Sequence, residues 1–382
     1  MTFLLVLIFN SLMYIALAGA RLTFSLFALQ KLGASDFDVG LIMALFGLVA
    51  VPLAVPLGRM LDRTGVRLPM TAGVALAATG IFCAWWMPAV SMLYASSVLM
   101  GTGWLAIHVS LLKIVGDLSD PERRLASYNA YSLSFGFAIL IGPPSAGFMI
   151  DQLGHRATLL VLLAIIGVAF AILLHSFRSL PRKSAPQAVH AGGSAFSLLM
   201  HVRLRPIYVV GSLIGSAWEL YTFVVPIHGH HLGLSASQIG LILGAYSAAT
   251  FVIRVGMPAI ARRYREWSII RGALFASAIG FLLLPLVQGS ATYVVLSFFM
   301  GLALGSCLPN TLSLLHSEAP AGRDGEALGI RVSITNVIQV TVPTLVGALG
   351  AAVGLTPVFW LFAAAMGGGC RTAHLRAIAS SD

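Results

Sequence analysis

Charge is what this sequence has least of. Charged residues fill 9% of its 382 positions and only 13 are acidic, whereas 58% are hydrophobic. A soluble domain carries about 25% charge, so a water-surrounded fold is excluded and a polytopic membrane protein is expected. Cysteine is scarce too. Cys83, Cys307 and Cys370 lie in or beside apolar stretches without metal-ligand spacing, which makes them packing residues. The period-2 alternation of a lipid-facing barrel is missing, so the spans are helical. No basic stretch precedes the apolar residues 3–20, and that run continues to Leu32, so a cleavable signal peptide is not expected. No G-x-x-x-x-G-K-[ST] loop occurs, which argues against ATP as the driving force. Clustered nucleophiles and metal ligands are also lacking, so an enzyme is not expected and neither a cofactor nor a metal is needed.

What is present is a pattern written twice. Sliding the chain by 200 residues places Leu32, Gly33 and Ser35 on Leu232, Gly233 and Ser235. Gly40-Leu41-Ile42 falls on Gly240-Leu241-Ile242, and Met100-Gly101 on Met300-Gly301. Pro143, Gly147 and Gly154 fall on Pro343, Gly347 and Gly354. An internal repeat decides the fold before any motif does. Two similar sets of apolar helices, with a solute site at the repeat interface, are the build of secondary transporters.

At about 30 residues per span and loop, the chain holds about 12 spans. They are expected near 3–30, 36–58, 67–88, 90–115, 124–150, 156–176, 206–231, 236–260, 267–287, 291–315, 326–352 and 355–370. The last is the weakest, because Gly367, Gly368 and Gly369 shorten its apolar run. The fold class is therefore all-α, an integral membrane protein of 12 transmembrane helices in two pseudo-symmetric six-helix bundles. The expected bundles are residues 1–176 and 205–382. The Ser-, Pro-, Gly- and Ala-containing basic segment 177–204 reads as a flexible tether.

The net charge of +10 is topological and does not mark a nucleic-acid binder. Arg59, Arg63 and Arg67, then Arg178, Arg182 and Lys183, then Arg262, Arg263 and Arg265, all occupy one set of loops. The opposite set holds Lys31 and Arg156. Positive residues face inward, so both termini and the tether are expected in the cytoplasm of a cell inner membrane.

Between spans 2 and 3 the chain reads Gly58-Arg59-Met60-Leu61-Asp62-Arg63-Thr64-Gly65-Val66-Arg67. This resembles the G-x-x-x-D-R-x-G-x-R signature of the major facilitator superfamily, and with the repeat and the 12 spans the resemblance covers the whole chain. The resemblance implies secondary, usually proton-linked, transport by alternating access. The motif has its own physics. Gly58 permits close helix approach, Asp62 suits a helix N-terminus, and Arg63 and Arg67 are within reach of Asp117 or Asp120 at the end of span 4. Such a cluster is a conformational latch, with Arg331 as a further gating cation. The bland alternative is a purely topogenic loop. The second copy is degenerate, with Arg262 on Asp62 and Arg265 on Gly65; Glu318 is expected to pair there with Arg262 or Arg263. In span 5, Gly142-Pro143-Pro144-Ser145-Ala146-Gly147 partly resembles the Gly-Pro motif of the superfamily's drug/proton antiporters. Ala146 stands where a second glycine is usual and Ala138 replaces an upstream glycine, so a plain kink with close packing is the preferred reading.

Ionisable residues inside spans are costly and usually functional. Arg21 in span 1 and Glu219 in span 7 both lie roughly 15 Å from one membrane surface. The resemblance places both spans along a central cavity. Arg21 aligns with Tyr221 and Glu219 with Gly19, so these charges break the repeat, as a site for an asymmetric solute would. Arg21 is the expected anion anchor, since guanidinium stays charged and grips carboxylate or phosphate bidentately. Glu219 is the expected coupling group, binding a proton or releasing Arg21. A structural Arg21–Glu219 ion pair is the competing reading. Lys113, Arg254 and Arg331 read as snorkelling or gating cations, or as a positive vestibule.

Span 4 has Ser97 and Leu99 where the family's proton-coupled members often carry an arginine. Asn129, His108, Asn310, Asn336 and Gln339 are further cavity candidates, each alone more often a helix–helix hydrogen bond. Tyr14, Trp104, Trp218 and Tyr221 are the aromatic candidates for stacking on a solute. His228, His230 and His231 read as a solvated rim, with a metal site as the lesser alternative. The expected function is secondary transport of a small organic anion or zwitterion, with protons as the coupling partner, by a monomer in the bilayer. A drug/proton antiporter exporting cationic or amphipathic compounds is the alternative. A non-transporting receptor on the same fold is a third reading.

Overall fold

The computed structural model describes residues 3–48, 52–53, 57, 60, 65–118, 124–176, 195–320 and 323–379. Gly58, Asp62 and Arg63 lie outside the described residues, as do the side chains of Asp117 and Asn129. Twelve long helices follow one another: α1 (Phe3–Lys31), α2 (Asp36–Leu48), α3 (Arg67–Trp86), α4 (Val90–Leu118), α5 (Arg124–Leu153), α6 (His155–His175), α7 (Leu204–His231), α8 (Ala236–Ala261), α9 (Glu266–Leu283), α10 (Ser290–Glu318), α11 (Asp324–Val353) and α12 (Leu355–Ala379). A short helix, Ala195–Leu199, precedes α7, and no strand occurs among the described residues.

Ten of these helices are long and apolar enough to cross a membrane. The other two have plain reasons. The described part of α2 has 13 residues, and the glycine triplet with Arg371 dilutes α12. That triplet does not end the helix, which runs past the expected limit at 370 to Ala379. Glycine weakens a helix by about 1 kcal/mol per residue, but a Cβ on Gly369 would lie 2.5 Å from Leu213 of α7. The close packing that glycine permits offsets its cost.

The chain divides into two compact units, Met1–Ala188 with Gly229–Gly244, and Val189–His228 with Ala245–Asp382. In the first, α1 packs on α5 and α6, and α3 on α4; in the second, α9 packs on α12 and α10.

The repeat extends to backbone geometry. Gly33 and Gly233 have φ of 63° and 70°, and Gly154 and Gly354 have 80° and 81°, the left-handed region that glycine enters without strain. The helices that follow Gly33 and Gly233 open with the same device. Ser35 and Asp38 exchange reciprocal hydrogen bonds at the start of α2, Ser35 N–H to Asp38 at 2.8 Å and Asp38 N–H to Ser35 Oγ at 3.2 Å. Ser235 and Gln238 repeat them at α8, at 2.9 and 3.3 Å. Both are capping boxes. The repeat fails where the sequence does: Gly65 has φ of 77°, whereas Arg265 is extended at φ −74°.

One contact of the first unit has no copy. The Asp151 carboxylate, at the end of α5, accepts the backbone N–H groups of Ala236 at 3.0 Å and Ser237 at 2.8 Å. It serves as a second cap on α8, where the helix dipole favours an anion; residue 351 is alanine. Asp151→Ala is expected to cost about 1 kcal/mol, read as a thermal midpoint a few degrees lower, with Asp151→Asn intermediate. An unchanged midpoint in both variants contradicts the capping role.

Candidate functional site

In the first unit, Arg21 lies near the middle of α1, two turns beyond Tyr14. Its guanidinium stands 6.0 Å from the centre of the Phe46 ring of α2, and Phe46 packs in turn on Phe24 at 5.8 Å. A cation over an aromatic face keeps its charge with less desolvation penalty. One face of the unit is aromatic and polar. Tyr14 stands 4.9 Å from Trp104 and 3.9 Å from Phe135. Trp104 stacks on His108 at 5.4 Å, and His108 Nδ1 is 2.9 Å from the Tyr131 hydroxyl. Buried Asn10 donates to Ser134 Oγ at 2.9 Å. Tyr14, Trp104 and His108 are thus brought together as one group from α1 and α4. Tyr131, Phe135 and Asn10 complete it, although no sequence signal singled them out.

In the second unit, Glu219 of α7 is 5% exposed, the one carboxylate among the buried described residues. Beside it on the same helix are Trp218 and fully buried Tyr221. Tyr246 of α8 stacks on Tyr221 at 4.5 Å and meets Trp218 edge-on at 5.0 Å. Arg254, two turns further along α8, reaches back so that its guanidinium lies 5.9 Å over the Trp218 ring. Tyr221 donates its hydroxyl to Ser297 Oγ of α10, which donates on to the Tyr293 carbonyl at 2.6 Å. The Tyr246 hydroxyl and Arg254 Nε are buried without a hydrogen-bond partner among the described residues. A buried polar atom left unmatched is costly.

The remaining candidates are spread out. Asn310 is buried on α10, where it donates to the Ser306 carbonyl at 2.7 Å and lies 3.4 Å from Met257 of α8; it is a helix-packing residue. Asn336 and Gln339 are half-buried on one face of α11. Arg331, also half-buried, lines a narrow cleft with Tyr208, Ser212, Thr311 and Thr335. Of the latch, Gly65 and half-buried Arg67 are described, at the start of α3. Glu318 approaches Arg203 at 3.6 Å in place of the expected Arg262 or Arg263, because the approach to α7 lies beside the end of α10. His231 lies 3.2 Å from Asp36, and His228 packs edge-on against Tyr293 and Phe359. Among the described residues no cluster of His, Cys, Asp and Glu is suited to hold a metal.

The two arrangements occupy equivalent places in the repeat. Arg21 over Phe46 corresponds, 200 residues on, to Tyr221 over Tyr246. Glu219, Trp218 and Arg254 stand where the first copy has Gly19, Ala18 and Ala54. These departures from the repeat lie on α1 in the first unit and on α7 and α8 in the second.

Comparison with known proteins agrees with this architecture. The family model described as Major Facilitator Superfamily matches residues 5–325 and 207–371. The tetracycline resistance protein, class D, of Salmonella ordonez is 25% identical over 80% of this chain and 78% of its own. Solute carrier family 22 member 18 of Rattus norvegicus is 23% identical over 86% of this chain and 82% of its own. The crystal structure of a POT family transporter in complex with 5-aminolevulinic acid superposes with a TM-score of 0.82 at 15% identity, covering 100% of this chain and 96% of that one.

Proposed function

The chain belongs to the Major Facilitator Superfamily, and we propose that it moves a small organic anion or zwitterion across the cell inner membrane by alternating access, coupled to protons. The observation that carries the reading is the pair of guanidinium groups set on aromatic faces inside apolar helices, Arg21 over Phe46 and Arg254 over Trp218. Each unit carries one such cation, and Glu219 is the one buried carboxylate among the described residues, a charge balance that suits a negatively charged solute group. Arg21 anchors that group. Trp218 and Tyr221 supply flat apolar contact, and Asn129, Asn336 and Gln339 supply further hydrogen bonds. Glu219 takes up and releases the coupling proton. Asp62, Arg63 and Arg67, with Gly58 and Gly65 allowing close approach, form the latch toward Asp117, and Arg331 gates the same side. Residues 1–176 and 205–382 act as the two rocking bundles on the 177–204 tether, with both termini cytoplasmic and one copy sufficient.

A second reading has specific support. The relatives include a tetracycline resistance protein, and the Trp218–Tyr221–Tyr246 group beside Glu219 suits a cationic amphiphile. The two readings separate in a thermal-shift screen on purified protein, run on wild type and Arg21→Ala together. A ligand stabilises by RT ln(1 + [L]/Kd). Organic anions are expected to raise the wild-type midpoint, with the shift lost in Arg21→Ala. Stabilisation by cationic or neutral amphiphiles alone, indifferent to Arg21, rejects the anion reading in favour of drug efflux through Glu219.

A further inference from the structure

A long cleft runs beside α9 in the second unit. Ile253 and Ile260 of α8, Gly272 and Ala276 of α9, and Leu296 and Phe299 of α10 help to line it, and it encloses about 600 Å³. A second hollow of about 490 Å³ shares Leu283, Leu296 and Phe299 with the first and continues to Ala291 and Thr292. Between Ser268 and Leu283 the cleft follows α9 for roughly 22 Å, most of a hydrocarbon core of about 30 Å.

The two copies of the repeat differ here. In the first copy α3 and α4 meet at Gly73 and Gly103, where a Cβ on Gly73 would lie 2.7 Å from the Gly103 carbonyl oxygen. The second copy has Ala273 and Ala303 at those positions, and both line the cleft. The second copy thus carries two methyl groups where the first has none. Gly272 faces open space, since a Cβ there meets nothing within 4 Å.

One end of the cleft is strongly basic. Tyr264 and Ser268 line it, and Tyr264 sits among Arg262, Arg263 and Arg265, all on the surface. The nearby acid, Glu266, is engaged by Ser313 of α10, whose hydroxyl donates to it at 3.0 Å. An apolar cleft with three surface arginines flanking Tyr264 at one end matches one kind of membrane molecule in its chemistry. We propose that this cleft binds an anionic phospholipid, with an acyl chain along α9 and the headgroup phosphate at Arg262, Arg263 and Arg265. A zwitterionic lipid offers the same chains but carries its own cation beside the phosphate, so the arginines select against it. The site shares no residue with the solute path proposed above.

Native mass spectrometry of the purified full chain tests this, with phosphatidylglycerol and phosphatidylcholine of identical chains as probes. Wild type is expected to retain phosphatidylglycerol selectively. Replacing all three arginines by alanine is expected to weaken it by about fivefold per arginine. Gly272→Phe fills the cleft and is expected to displace both lipids; Ala276→Leu replaces it as the test if that variant does not fold. Equal retention of the two lipids by wild type overturns the proposal. So does unchanged phosphatidylglycerol retention in the arginine variant or in the cleft-filling variant. A dimer in place of the lipid adduct, abolished by Gly272→Phe, also overturns it by assigning the cleft to a second copy of this chain.

Discussion

Glu219→Gln is expected to abolish pH-driven transport while leaving solute binding within a few-fold of wild type. Glutamine keeps the shape and hydrogen-bonding reach of a protonated glutamate but carries no exchangeable charge. Glu219 is a carboxylate 5% exposed inside a membrane helix, a placement more often functional than structural, and the coupling role proposed for it makes glutamine the direct test. With the exchangeable charge removed, reconstituted protein is expected to show no accumulation beyond empty liposomes under a pH gradient. Solute exchange at equal concentrations on both sides is expected to continue, because exchange needs no net proton movement. Arg21→Lys is the companion test. Lysine keeps the charge but loses the planar fork, so it is expected to recover little of the binding that Arg21→Ala removes. Accumulation by Glu219→Gln at the wild-type level contradicts the coupling role. Loss of binding as well as accumulation reassigns Glu219 to holding the solute or the fold.

Much of this architecture was legible in the sequence because a 200-residue repeat carries geometry with it. Gly33 and Gly233 mark left-handed turns at matching places, and Ser35 and Ser235 begin matching capping boxes. Hydropathy located the helices because each buries or exposes a whole apolar surface to lipid. What the linear chain hid was partnership. Arg254 looked like a snorkelling cation near one end of α8, but its length lets it fold back four carbons' reach onto Trp218. Tyr131 and Tyr246 had no distinguishing pattern, since an aromatic in a membrane helix is ordinarily packing. The three glycines of α12 shorten its apolar run in the sequence, and only the close contact of Gly369 with Leu213 shows what they permit. Asp151 was missed for a similar reason. A helix cap supplied by a distant helix leaves no local signature, unlike the Ser35 and Ser235 boxes that lie within four residues.

Gly301→Val and Gly101→Val are expected to be the most damaging single substitutions away from the charged groups, and to damage the site rather than the fold alone. At Gly301, α10 crosses α8 backbone to backbone: an added Cβ would press on the Tyr246 carbonyl oxygen and lie 2.9 Å from the Ala249 methyl. At Gly101, 200 residues earlier, α4 crosses α2 in the same way, and the Cβ would press on the Phe46 carbonyl and lie 2.9 Å from its Cα. Backbone atoms cannot rotate aside as side chains do, so the helices must separate. Overpacking typically costs about 1–3 kcal/mol, and valine adds a β-branch to the unavoidable methyl. The residues displaced are the aromatic supports of the candidate site. Phe46 lies under Arg21, and Tyr246 lies against Tyr221 and Trp218. Gly101→Ala and Gly301→Ala, which add the methyl alone, are the milder forms of the same change and are expected to lower the thermal midpoint by several degrees and to weaken solute binding even in the fraction that remains folded. Gly256 of α8 provides the contrast, since a Cβ there meets nothing within 4 Å. Gly256→Ala is expected to raise stability by up to about 1 kcal/mol through helix propensity with transport unchanged. Thermal unfolding and solute titration on the three alanine variants decide the matter. If Gly101→Ala and Gly301→Ala bind solute as tightly as Gly256→Ala at equal folded fraction, the aromatic floors beneath Arg21 and Trp218 do not shape the site. If binding falls in step at both glycines and not at Gly256, the two copies of the repeat contribute equivalent supports to one recognition function.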